Sequence, residues 1–344
     1  MRIKGIHAKS LAAALVALAV ALPSALTAEM SSADRAMARE RNEIRNGGDM
    51  AFEPLEKKPK RKETGFFFHR KSKKPPAEQF EAAAALEDAG KRAEACAAYD
   101  RLVRSFPFSP AASQAQLRLA RLFEKRGKYK QAYEEYLYML YFYPENAPAD
   151  SILRQMYAIA NYYLKKGKES RALDYFERLA QIAPQWTHTP QVLLQAGAVH
   201  FANRDYYDAA EAFDTVTSDN PGTPEGLAAL AQHALVLHAL SVKYPRDEAI
   251  MIRAIAITTA ALRDCPRDIP ERQRLASNLE DLHLRRSERY FNIAEFYDKK
   301  AYAGETRIAA YRDYLRRFPQ GPHSEMARAR LAALGADTPA PTQK

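Results

Sequence analysis

A chain of 344 residues with 47% hydrophobic and 27% charged residues has the balance of a folded globular protein, not of a fibrous one. Glycine is scarce at 13, good helix formers are plentiful, and Val, Ile and Thr never alternate in runs, so helices are expected and strands have no support. Two cysteines exclude a disulfide framework. The net charge of +10 does not mark a nucleic-acid groove once located: residues 1–28 carry +3, residues 29–76 carry +5, and only +2 remains for everything after them.

In chain order, Arg2, Lys4 and Lys9 form a basic start, Leu11 to Leu22 is apolar without a break, and small residues run to Ala28. This is the three-part pattern of a secretory signal peptide, with a cut expected after Ala28. The apolar core is shorter than the roughly 18 residues that cross a bilayer, and an uncleaved anchor is the alternative. No later stretch reads as long and apolar enough to span a membrane. Export is expected, without a cysteine at the cut to take a lipid anchor.

Residues 29–76 are expected to be a disordered basic arm. Ser31 to Arg45 has the composition of a short polar helix, ended by Gly47 and Gly48. Then Lys57, Lys58, Lys60, Arg61 and Lys62, and further on Arg70, Lys71, Lys73 and Lys74, form runs that repel themselves and bury no core. Between them sit Phe66, Phe67 and Phe68. Three aromatics amid cations fit a docking plug or a membrane-surface contact, and equally a packing role on the first helix pair of the body.

From residue 77 to 335 the chain repeats. Pro107, Pro144, Pro184 and Pro221 are spaced by 37, 40 and 37 residues. Twelve residues before each proline stand Ala95, Ala132, Ala172 and Ala209. Eight before stand Tyr99, Tyr136, Phe176 and Phe213, and 24 before stand Ala83, Ala120, Ala160 and Gly197. A fixed period of this size is the mark of stacked helical hairpins. The small residues fall where two helices cross closely, and the aromatics follow one turn on along the same face. Gly90, Gly127 and Gly167 fall between the helices, where glycine ends a helix at low cost, and the prolines end each unit. Beyond Pro224 the pattern loosens: helices are expected over 225–240 and 250–263, then a long one from Pro270 to about Tyr297, then 305–317 with Arg307 in the alanine place, and a capping helix over 324–334. Residues 336–344 are expected to be a flexible tail.

These residues resemble the tetratricopeptide repeat, whose small, aromatic, Ala, aromatic and Pro positions fall on Ala120, Phe123, Ala132, Tyr136 and Pro144, and again on Ala160, Tyr163, Ala172, Phe176 and Pro184. The resemblance covers most of residues 77–224, with longer linkers than the family's. It implies an all-α, right-handed superhelical solenoid of about six hairpins. The order of leader, arm, five to six units and a long penultimate helix, together with the segments FPFSPAASQAQLRLARLFEKRGKYKQAYEEY and RYFNIAEFYDKKAYAGETRIAAYRDYLRRFP, is similar to the BamD family. Those proteins are the helical lipoproteins of the bacterial outer-membrane β-barrel assembly machinery. The missing lipid-acceptor cysteine departs from that family.

Catalytic signatures are not found: there is no HExxH, no GxSxG and no phosphate loop, so the chain reads as a non-enzyme without cofactor or metal. His233 and His238 are five apart and point about 140° from each other around a helix. His200 sits in a helix packing position. Cys96 and Cys265 fall in units four apart and read as small core residues. Trp186, in a long linker, reads as a cap on the next hairpin, with a partner anchor as the alternative. In the repeat family the first helix of each hairpin lines the concave face. That resemblance places Arg121, Lys125, Arg154, Tyr157, Asn161 and Lys165 there, a cationic patch suited to an extended peptide with a free carboxylate. The expected function is a periplasmic scaffold for proteins or extended peptides, such as β-barrel assembly components or unfolded outer-membrane proteins. The alternative is a docking protein for cell-wall processing enzymes.

Overall fold

A computed structural model describes residues 59–60 and 74–337. The leader, nearly all of the basic arm with Phe66, Phe67 and Phe68, and most of the C-terminal tail lie outside the described residues. Among the described residues there are thirteen α-helices and no strand. They pair in sequence: α1 (Pro76–Asp88) with α2 (Arg92–Ser105), α3 (Pro110–Lys125) with α4 (Tyr129–Phe142), and α5 (Ala149–Lys165) with α6 (Glu169–Ile182). Next come α7 (Thr189–Asn203) and α8 (Tyr206–Asp219), α9 (Pro224–Lys243) and α10 (Glu248–Asp264), and α11 (Arg272–Lys299) and α12 (Gly304–Arg317). The thirteenth helix, α13 (Ser324–Ala333), packs on α12. The described chain is therefore an all-α array of antiparallel hairpins, and its long helix α11, third from the end, spans 28 residues.

The repeating residues have the jobs their chemistry dictates. The alanines of the second helices, Ala95, Ala132, Ala172 and Ala209, are fully buried, as are Ala83, Ala120 and Ala160 in the first helices. At a crossing only a methyl group lets two helix backbones approach closely. One turn on, Tyr99, Tyr136, Phe176 and Phe213 are buried beside them. Gly90, Gly127 and Gly167 turn the corners with φ of 73°, 69° and 68°, a left-handed backbone that costs an L-residue about 1–2 kcal/mol. Helix starts are fixed locally: Ser109, Thr223 and Asp247 each accept a hydrogen bond from the amide three residues on, at 3.2, 3.1 and 3.1 Å.

The described chain divides into two compact units, one ending at Val199 and the other beginning at His200, within α7. In the first, one continuous apolar core runs from Ala83 to Ala196. Trp186 belongs to it: the indole is buried, its Nε1 donates to Asp150 Oδ1 at 3.0 Å, and its ring meets Tyr157 edge-on. It is a packed cap. Cys96 and Cys265 are buried free thiols, one in each unit.

The second unit holds smaller apolar clusters around Leu230–Leu275 and Phe291–Leu331. One sequence expectation is corrected here. The α9 helix is long and apolar enough to cross a membrane by length and composition, yet 61% of its most apolar window is buried inside the fold. It packs against α8, α10 and α11, so its apolar residues face protein on several sides. Arg307, in the alanine place of α12, reaches Asp298 at 3.4 Å. Tyr311, in the aromatic place, is buried and donates its hydroxyl to the same carboxylate at 3.3 Å.

Candidate functional site

The site grows from α3. Ser109 and Pro110 start this helix, and its buried residues, among them Ala112, Ala115, Leu119 and Leu122, recur at helical spacing, so one face is spent on the core. Beside the core face runs a line of residues at positions 110, 113, 114, 117, 121 and 124, which borders two recesses. The first, of about 580 Å3, lies at the N-terminal end of α3 and is walled by Pro107, Phe108, Met139, Phe142 and Tyr143. Phe108 is 84% exposed at its mouth. The second, of about 390 Å3, lies toward the C-terminal end, between α3 and α5, and is bordered by Arg121, Glu124, Lys125, Tyr129, Ser151 and Gln155. Leu117 borders both, so the two recesses follow one another along α3; the first also carries Ser109, Ser113, Gln114 and Asn146 in its wall, and the second is charged.

The charges at the polar end are not equivalent. Glu124 accepts the hydroxyl of buried Tyr136 at 2.6 Å, and burial together with that carboxylate pushes the phenol well above its ordinary range. Lys125 stands 3.9 Å from Glu87 of α1, which also faces Arg118 at 3.5 Å. Arg121 has no hydrogen bond or ion pair within the described residues and is exposed at the recess. Tyr129 closes the wall with its ring 4.3 Å from that of Tyr162.

Of the six residues expected on the binding face, the structure brings two together, Arg121 and Lys125. Arg154 turns to Asp150, donating at 2.8 Å. Tyr157 packs against Phe176 and Trp186, and its burial raises the phenol pKa. Asn161 donates to the Tyr157 carbonyl at 2.9 Å, and Lys165 is exposed in the last turn of α5. The α5 residues that border the recess are Ser151, Ile152 and Gln155; Ser151 and Gln155, one turn apart, lie rotated about 100° from the expected line.

A further feature escaped the sequence reading. Tyr99 and Tyr136 each donate to a carboxylate twelve residues earlier, Glu87 at 3.1 Å and Glu124 at 2.6 Å. Where the aromatic is Phe176 or Phe213, the residue twelve earlier is Leu164 or Phe201. A buried hydroxyl needs an acceptor and a phenylalanine does not, so this pairing was open to sequence inspection. The histidines take separate roles: His238 meets Asp281 at 2.8 Å, while His233 is buried 3.5 Å from Asp214. Among the described residues no group of His, Cys, Asp and Glu could hold a metal ion.

Residues 79–109 match the tetratricopeptide repeat family model. No curated protein matches the chain. Among solved structures it is similar to the C-terminal part of a repeat-containing protein from Cytophaga hutchinsonii, at 18% identity over 75% of this chain and 89% of that one, with a TM-score of 0.31. A tetratricopeptide repeat protein from Parabacteroides merdae matches at 16% identity over 76% and 98%, with a TM-score of 0.29. One from Thermus thermophilus matches at 20% over 60% and 99%, with a TM-score of 0.26. At these values the three structures carry no argument about the task of this chain.

Proposed function

We propose that this tetratricopeptide repeat protein is a non-catalytic scaffold that grips an extended segment of a partner protein in the groove along α3. The observation that carries the reading is Arg121: an exposed guanidinium without a described partner, at a charged recess that adjoins a second one walled in part by Phe108, Met139 and Phe142. An extended chain advances about 3.3 Å per residue and α3 rises about 1.5 Å per residue, so about seven peptide residues cover the stretch of α3 from Pro110 to Lys125. A terminal carboxylate meets Arg121, and an apolar side chain upstream meets Phe108 and Met139. Lys125 adds positive charge at that end, while Ser151 and Gln155 offer hydrogen bonds across it.

The finer reading rests on the resemblance of the leader, arm and repeat order to BamD. It places the protein in the periplasm at the outer membrane, with the C-terminal segment of an unfolded β-barrel protein as ligand. The experiment titrates such a peptide, with free and with amidated C-terminus, into the wild type and into Arg121→Glu. A charge-assisted hydrogen bond contributes about 1.5–3 kcal/mol, so amidation and Arg121→Glu should each weaken binding roughly ten- to hundredfold. Equal affinity in all four combinations would remove the groove reading. Co-purification from outer membranes separates β-barrel assembly partners from wall-processing enzymes.

A further inference from the structure

We infer that the adjoining corners of the α3–α4 and α5–α6 hairpins form a docking surface for an anionic lipid bilayer. Charge supplies the first support. Residues 125–130 hold four cations and no acid, and residues 165–171 hold four cations with Glu169. A merely solvated surface mixes the two signs, and here they are segregated. No Lys or Arg stands between Gln131 and Leu153 or between Leu179 and Val199, the stretches that pass through the other end of the same hairpins, where Glu145 and Asp150 are exposed. At the corners, Lys125 faces Glu87 and Arg126 reaches the Cys96 thiol. The other six, Lys128, Lys130, Lys165, Lys166, Lys168 and Arg171, are exposed and form no ion pair among the described residues. Nearby acids are engaged elsewhere: Glu134 faces Arg178 at 3.8 Å, and Glu124 accepts from Tyr136.

The two corners are contiguous. Tyr129, first in α4, has its ring 4.3 Å from that of Tyr162 in the last turn of α5. Lys166 stands over Tyr162 at 5.8 Å, and Lys168 and Arg171 stand over Tyr163 at 5.9 and 5.1 Å. Open space surrounds Gly127 and Gly167, so the cations project from two tips and not into a recess. Helix stability does not account for them. Lys128 and Lys168 hold the N-cap places of α4 and α6 and bond no amide there. Ser, Thr, Asp or Asn would stabilise the helix at that place, and a cation opposes its dipole. The residue types favour a bilayer over a single bound chain. Five of the six are lysines, point charges on flexible stems without the planar fork that fixes arginine on one carboxylate or phosphate. Such groups suit a surface of many mobile headgroups. The exposed Tyr162 adds a phenol, a ring that settles at headgroup level in membranes.

The test puts a polarity-sensitive fluorophore on the full chain at Ser170→Cys, and separately at Glu145→Cys at the opposite end, Cys96 and Cys265 being buried. Vesicles of phosphatidylcholine, with and without phosphatidylglycerol, are titrated in. A blue shift at position 170 and not at 145, dependent on phosphatidylglycerol and lost at high salt, is the expected result. Lys128→Gln/Lys168→Gln, at unchanged helical circular dichroism, should weaken the binding so reported roughly 25-fold, since each cation near an anionic surface contributes about a factor of five. Equal shifts at both positions, no shift at 170, or an affinity indifferent to the two substitutions would overturn the inference. So would a shift produced by polyglutamate or duplex DNA and not by vesicles, which would assign the corners to an acidic protein or a nucleic acid. Arg121 is untouched in these variants and no lipid enters the peptide titration, so either reading can fail alone.

Discussion

The two units turn their hairpin corners differently. In the first, Gly90, Gly127 and Gly167 all sit at φ near 70° with open space where a Cβ would stand. In the second, the same left-handed corner falls to Arg204 at 69° and Ala301 at 50°. The corner geometry is thus set by how two helices must dock, and glycine only makes it cheaper. The interiors differ in the same sense. The first unit crosses its helices on alanine and runs a single apolar core. The second admits Arg307 at an alanine place, buries His233 without a hydrogen bond, and ties Arg285 to Asp281 and to both the carbonyl and hydroxyl oxygens of Ser241. Both units add polar contacts to their packing, and in the second these include a buried imidazole that pH can alter.

That contrast breaks most strongly at a core ring. Phe176→Ala should cost about 3–5 kcal/mol, read as a loss in denaturant midpoint, because the fully buried ring leaves a cavity. A loss under 1 kcal/mol would mean that the first unit does not depend on its aromatic plugs. The second unit should respond to acid instead. Burial holds the His233 imidazole down to about 4, with Asp214 opposing that shift and Arg253 reinforcing it. The unfolded imidazole binds a proton from about pH 6.5 downward while the folded one stays neutral, so stability falls as pH drops from 6.5 toward 4, by up to about 3 kcal/mol. His233→Leu should flatten that slope in an unfolding series across this window, and an unchanged slope would assign the acid sensitivity elsewhere.

At the crossings, Ala132→Leu should overpack and cost about 1–3 kcal/mol, and an unchanged melting temperature would refute the crossing assignment. The corners give the smallest and most symmetrical test. Gly127→Ala should lose about 1 kcal/mol and Ala301→Gly should gain a similar amount, since one adds and the other removes a side chain at positive φ. Two shifts of the same sign would show that factors other than φ govern these corners.

The hairpin order, the corners at glycine, the alanine crossings and the buried aromatics were all legible before any coordinates. Each follows from spacing along a helix or from the local demands of one residue type. The hydroxyl-to-carboxylate pairs were legible too and were missed, because the reading tracked apolar positions alone. Helix α9 shows the opposite limit: composition by itself cannot separate a membrane span from a core helix, since both are apolar on most sides. Only its packing against three neighbours distinguishes them.

The candidate site divides along the same line. Sequence by itself determined that α3 would carry Arg121 and Lys125 on a face apart from its core, because helical periodicity fixes which residues share a side. Which face of α5 meets that side was decided by the tertiary structure. Asp150 draws Arg154 away, and Phe176 and Trp186 cover Tyr157, leaving Ser151, Ile152 and Gln155 to border the recess. A rotation of about 100° separates the two outcomes, one residue step around a helix. Periodicity fixes which residues of a helix share a face, but the angle at which neighbouring helices dock is set by side chains distant in sequence.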